Sequence, residues 1–167
     1  MTSASKAKGN SFERRVADFL TNLYGEKFIR APGSGAYVGG KNAARKQFLH
    51  EGQIRNFKGD IVPGQSFPRF NAECKSYKEF AWHQMFTGNK VLDDWLDQLM
   101  SVSDPGDFNV LFMKFNRRGE YVVTQASVTD ASHSHMIYHS ARHGDWIIQD
   151  FDQFWQHQAD QVRQLSA

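Results

Sequence analysis

The sequence predicts a mixed α/β fold built on a central sheet. Stretches with apolar residues at helical spacing alternate with short runs of strand-like pattern. Their order is helix, strand, strands, helix, strands, helix, with no internal repeat and no linker that would divide two domains. At 167 residues the chain fits one domain with a substantial core.

Each element has a local reason. In residues 11–24, Phe12, Val16, Phe19, Leu20 and Leu23 recur on one helical face, and Asn10 and Glu13 stand at capping-box spacing. Residues 1–9 read as a flexible basic tail carrying Lys6 and Lys8. Residues 27–31 read as a short strand, broken by Pro32-Gly33-Ser34-Gly35-Ala36. The segment 36–58 is long for a structureless loop and predicts a functional loop or a short helix near residues 43–48. Gly59-Asp60-Ile61-Val62 and Phe70-Asn71-Ala72-Glu73-Cys74-Lys75 read as strands that pair as a hairpin, with Pro63-Gly64 opening the connection. Residues 89–103 form an amphipathic helix on Val91, Leu92, Trp95, Leu96 and Leu99, stopped by Asp104-Pro105-Gly106. Residues 108–115 and 120–125 read as a hairpin around Asn116-Arg117-Arg118-Gly119. Residues 146–149 offer a further strand. Asp150, with Gln153 at the capping-box position, starts a last helix carrying Phe151, Phe154, Trp155 and Val162.

Composition excludes some classes. A hydrophobic content of 40% with 14% aromatic residues belongs to a folded chain, and no apolar run approaches a membrane span. Residues 1–10 lack the apolar centre of a signal peptide. One cysteine, Cys74, excludes an internal disulfide and fits a reducing compartment, so the expected location is cytoplasmic. A formal charge of +2 permits nucleic-acid binding and equally suits an ordinary soluble protein.

Chemistry concentrates in two stretches. Alternation sets Phe70, Ala72 and Cys74 on one face of their strand and Asn71, Glu73 and Lys75 on the other. Glu73 and Lys75 project side by side, and a paired strand brings Asp60 to the same spot. Two carboxylates and an ammonium there suit a hard divalent cation and an activated water. The alternative is a solvent-facing sheet with a weak surface ion pair. Cys74, on the inward face, reads as a core residue.

Four segments in order, Gly9-Asn10-Ser11-Phe12-Glu13-Arg14, Arg30-Ala31-Pro32-Gly33-Ser34-Gly35-Ala36, Gly59-Asp60-Ile61-Val62 and Glu73-Cys74-Lys75-Ser76, resemble the PD-(D/E)XK nuclease superfamily, with the archaeal-type Holliday junction resolvases as the closest pattern. Gly59 stands where that superfamily often has proline. The likeness covers roughly residues 9–115; the segment 36–58 exceeds what a minimal resolvase needs, and residues 126–167 have no counterpart in it.

The resemblance implies a restriction-endonuclease-like core. By it Asp60, Glu73 and the Cys74 backbone carbonyl bind Mg²⁺ or Mn²⁺, and Glu13 completes the metal site. Lys75 orients or deprotonates the attacking water. Arg30 and Ser34 contact DNA, the substrate is a four-way junction, and the enzyme is a homodimer with no membrane association; Arg14, Arg15, Lys41, Arg45 and Lys46 are candidates to bind DNA by neutralising phosphates. A capping role is the alternative for Glu13, a plain turn for Ser34, and solvated charge for Arg14, Arg15, Lys41, Arg45 and Lys46. Gln98, on the following helix, is either site-facing or solvated.

Other readings stay open. One is a nuclease for other DNA, of phage, plasmid, restriction or repair type. Another, of a different class, is a non-catalytic DNA-binding protein. Of His133, His135, His139 and His143, the last three would share a face only if a helix formed there, and the nearby serines and Gly144 speak against a helical zinc site. The extension 126–167 completes the sheet, forms the dimer contact or binds another protein.

Overall fold

The computed structural model describes residues 3–32, 58–131 and 133–167. Ser34, Lys41, Arg45, Lys46 and the helix expected near residues 43–48 lie outside the described residues.

Helix α1 spans Ser3–Tyr24, so it starts well before the expected position. The residues read as a basic tail form its first turns, and Asn10 and Glu13 lie inside it. The capping box is therefore absent. Both side chains are taken by Arg30 instead: Arg30 Nη2 donates to Asn10 Oδ1 at 2.8 Å and Arg30 Nε to Glu13 Oε2. A tertiary partner decides their role, and the helix carries Gly9 in its interior at a cost of about 1 kcal/mol.

Strand β1 (Ile29–Arg30) pairs antiparallel with β2 (Ile61–Val62) in a small ladder, Ile29 opposite Val62. The hairpin expected between the Asp60 strand and the Glu73 strand is thus replaced by pairing with the chain before the insertion. One backbone bond still ties Asp60 to the next strand, from its N–H to the Ala72 carbonyl at 2.8 Å.

The main sheet contains β3 (Phe70–Tyr77), β4 (Phe108–Phe115), β5 (Gly119–Gln125), β6 (His135–Ser140) and β7 (Gly144–Asp150), in the order β3-β4-β5-β7-β6. β3 and β4 are parallel and the other pairings antiparallel. Parallel neighbours need a long crossover. Here it runs through a 3-10 turn (Trp82–Phe86) and helix α2 (Lys90–Ser101), whose Asn89 Oδ1 cap accepts from the Leu92 N–H at 3.0 Å. Helix α3 (Phe151–Ser166) follows β7 directly, with Asp150 Oδ1 accepting from the Gln153 N–H at 3.1 Å.

Strand alternation divides the core in two. Phe70, Ala72 and Cys74 join Val110, Phe112 and Val122 beneath α1 and α3, against Val16, Leu20, Phe154 and Trp155. Leu111, Met113 and Val123 face the other way, against Leu92, Trp95, Leu96 and Leu99 of α2. β4 is buried on both faces, as an internal strand must be. The result is an α/β fold with a mixed central sheet flanked by helices, as the sequence predicts and as a restriction-endonuclease-like core requires. Residues 126–167 complete the sheet and cover one face. The histidines do not share a helical face, because 135–140 is a strand. His139 Nδ1 lies 2.7 Å from Asp145 and His143 Nε2 2.5 Å from Asp97.

Candidate active site

The site forms where three backbone segments meet. Asp60 is gripped on both sides: its carbonyl accepts from the Ala31 N–H, and its own N–H donates to Ala72, each at 2.8 Å. Its side chain turns back onto β3, where Oδ2 accepts the Cys74 N–H at 2.8 Å. Gly59 permits this approach. It sits at φ +68°, and a β-carbon there would overlap the Ala72 carbonyl oxygen. Proline cannot adopt that φ, which explains the departure from the superfamily pattern.

β3 supplies the rest. Asn71, Glu73 and Lys75 project toward α2, as alternation predicts. Asn71 Nδ2 donates to the Leu99 carbonyl at 3.0 Å and to Asn109 Oδ1 at 2.8 Å, locking β3 to α2 and β4. Lys75 Nζ donates to Glu73 Oε1 at 2.7 Å and to Gln98 Oε1 at 2.6 Å. Gln98 is therefore site-facing, and the signal was its place one turn along the apolar stripe of α2.

Asp60, Glu73, Lys75 and Gln98 line one cleft of about 760 Å³, together with Glu13, Asn10 and Arg30 from the far wall and Tyr77, Asp94 and Trp95 at its side. Glu13 reaches the cleft from α1, held by Arg30. Arg30 is thus committed to Asn10 and Glu13. Arg14 is exposed on α1 and does not line the cleft. Sequence reasoning missed Asn10 as a partner of Arg30, because its helix position mimics a cap.

Electrostatics set the cleft apart from a surface ion pair. Asp60 and Glu73 are 2% and 1% exposed. Burial, then the Glu73 charge, pushes the Asp60 carboxyl up to about 7, against the Cys74 N–H and Lys75, which pull it down. Burial also raises Glu73, opposed chiefly by Lys75. Glu13 is raised by burial and then by Asp60, with Arg30 opposing. The Cys74 thiol is driven well up by burial and by the surrounding carboxylates, so it stays protonated.

The donor set fits a hard divalent cation. Burial and the Glu73 charge beside it raise the Asp60 carboxyl, a penalty that a cation between the two carboxylates would relieve. Among the described residues, no three His, Cys, Asp or Glu side chains are gathered tightly enough to hold an ion by themselves. Two carboxylates completed by a backbone carbonyl, water and substrate phosphate are the set that Mg²⁺ commonly takes.

Glu73 and Lys75 from β3 of the mixed sheet, and Asp60 from the segment just before β2, meet in one cleft, which is the arrangement of a PD-(D/E)XK nuclease core. The chain belongs to the phage putative PDDEXK endonuclease family, whose model matches residues 4–164. Nucleases of this superfamily generally use divalent metal ions. No curated protein and no solved structure matches the chain significantly. Among the described residues, no helix is long and apolar enough to cross a membrane.

Proposed function

We propose that this protein is a Mg²⁺- or Mn²⁺-dependent DNA endonuclease working as a single nuclease domain. Asp60, Glu73 and the Cys74 backbone carbonyl hold the ion, and Glu13 completes the set. The observation that carries this reading is the buried Asp60–Glu73 pair sharing a cleft with Lys75. A surface pair would be solvated and would need no Asn71 lock behind it.

The ion supplies positive charge against the charge that builds on the phosphate. The chain's own residues do the rest. An ammonium has three N–H donors, and Lys75 gives two of them to Glu73 and Gln98. The third is left for the attacking water or a phosphate oxygen. Glu73 and Gln98 fix its direction, and the cost of orienting it is met before substrate arrives. Attack at phosphorus with departure of the 3′ oxygen leaves 5′-phosphate ends. The Arg30 clamp keeps Glu13 facing the cleft, with Arg30 and, from the segment outside the described residues, Ser34 beside the scissile strand and Arg14 on a neighbouring phosphate.

Within this reading the four-way junction is the favoured substrate. Its support is that Asn10, Glu13 and Arg30, from the segments that resemble the resolvases, all line the cleft. Paired nicks in two equivalent strands call for a homodimer with two-fold symmetry. The phage description of the family accords with an enzyme carried by a phage and with cutting of other DNA as the competing role.

The test is incubation with a labelled four-way junction and a matched linear duplex in Mg²⁺ or Mn²⁺, beside Asp60→Asn and Lys75→Ala. Symmetric nicking of the junction alone, lost in both variants, supports the resolvase. Equal cutting of both DNAs keeps the nuclease and removes the resolvase. Binding without cutting by the wild type removes the nuclease.

A further inference from the structure

A second concavity adjoins the catalytic cleft. It measures about 800 Å³ and is lined by Lys8, Lys78, Lys114, Arg117 and Arg118, with Asn116 and one acid, Glu79. We propose that this surface is the track along which the sugar-phosphate backbone of a DNA duplex arm leaves the cut site. The proposal rests on the nuclease reading and assigns that site's duplex-binding surface.

Topology makes the two concavities neighbours. β3 and β4 are parallel and in register to their ends, with Ser76 opposite Lys114 and Tyr77 opposite Phe115. The Asn116 N–H donates to the Tyr77 carbonyl at 3.1 Å, so both strands finish side by side. Tyr77 lines the cleft, and Lys78, the next residue, lines the basic concavity. On α1, Lys6 lines the first and Lys8 the second; the two are about 200° apart around the helix. The first turns of α1 therefore stand between them. Lys75 and Lys78 are three residues apart, about 10 Å in extended chain, the axial rise of about three phosphates along one strand.

Charge and backbone both point to a polyanion. Among the described residues no ion pair engages Lys8, Lys78, Arg117 or Arg118, and of the five cations only Lys114 has an acid partner, Glu120 at 3.3 Å. Five cations facing one lining acid repel one another unless phosphate lies among them. The turn carrying the arginines is also not the cheapest one. Arg117 adopts φ +57°, where glycine or asparagine would sit at lower cost. That turn is pinned by Arg118 N–H to the Phe115 carbonyl at 3.0 Å and by Tyr121 Oη to the Arg118 carbonyl at 2.6 Å. Both guanidinium groups are thus presented from a fixed backbone.

The experiment compares wild type with the triple variant Lys78→Gln, Arg117→Asn, Arg118→Gln. Asparagine tolerates the positive φ, and circular dichroism checks the fold. Arg69→Gln, an exposed charge at the opposite end of β3, is the control. The Kd for a labelled linear duplex is measured in Ca²⁺ across a salt series, and cleavage is measured separately in Mg²⁺ at saturating protein. Each lost phosphate contact flattens the salt slope by about 0.9, so the triple variant should lose roughly 2 to 3 in slope and bind about 10- to 100-fold more weakly at low salt. Its cleavage rate at saturation should stay near that of the wild type. An unchanged slope in the triple variant, or an equal loss in the control, overturns the track. A wild type that binds with a steep slope but never cuts discards the nuclease and leaves the track standing. A wild type that cuts while the triple variant keeps its slope discards the track alone, and a wild type that does not bind DNA discards both.

Discussion

Replacing Asp60 by asparagine asks whether its carboxylate is held in place for a cation. The side chain is buried and receives the Cys74 N–H. Asparagine keeps an acceptor for that bond and removes the charge. In the metal-free fold the carboxyl is raised from 3.8 to about 7, first by burial and then by Glu73. A group whose folded pKa lies above its unfolded value favours the fold at low pH and loses that contribution as pH climbs to the folded value. The wild type in EDTA should therefore lose stability from about pH 4 to pH 7, and the variant should lose less, keeping only the part that the raised Glu73 and Glu13 carboxyls contribute. Between pH 5 and pH 7 the loss runs at about 1.4 kcal/mol per pH unit, so the variant should gain roughly 3 kcal/mol on the wild type between pH 5 and pH 8. Urea unfolding followed by tryptophan fluorescence measures both proteins at both pH values. Mg²⁺ added at pH 8 should restabilise the wild type and leave the variant little changed. A stability gap that is the same at pH 5 and pH 8 would refute the reasoning, because Asp60 would then ionise as it does in water.

Three further outcomes follow from the same geometry. Gly59→Ala should destabilise the protein by more than about 2 kcal/mol in urea unfolding, since it combines a positive φ with overlap on the Ala72 carbonyl. Asn71→Ala should cost about 1–3 kcal/mol, because the buried Leu99 carbonyl and Asn109 lose their donor. Gln98→Ala frees Lys75 on one side and should lower kcat by up to about 100-fold with KM nearly unchanged, as read in steady-state cleavage; a rise in KM alone would count against a positioning role.

Where sequence reasoning succeeded, the signal was local. Period-two alternation placed Glu73 and Lys75 on one face of β3 and Cys74 on the other, since a strand cannot turn one residue without turning its neighbour. Asp150 before Gln153 marks the start of α3, because that cap is satisfied within its own turn. The failures were decided by partners far along the chain. Asn10 and Glu13 have cap spacing, yet Arg30 claims both, and nothing near them in sequence says so. The Asp60 strand was given the wrong partner because β1 lies across the inserted segment, and pairing depends on register between distant backbones. Within residues 126–167, the strand 135–140 has no strand reading in the sequence. β6 is an edge strand with four of its six residues exposed, so it lacks the continuous buried run that marks an internal strand.

The most direct measurement is cleavage of supercoiled plasmid by the purified protein in Mg²⁺ and in EDTA, with Glu73→Gln and Lys75→Ala alongside. The account predicts nicking or linearisation in Mg²⁺, none in EDTA, and a loss of at least about 100-fold in each variant. Cutting that persists undiminished in both variants, or a wild type that binds the plasmid in Mg²⁺ and never cuts it, would contradict the assignment of Asp60, Glu73 and Lys75 as the catalytic centre.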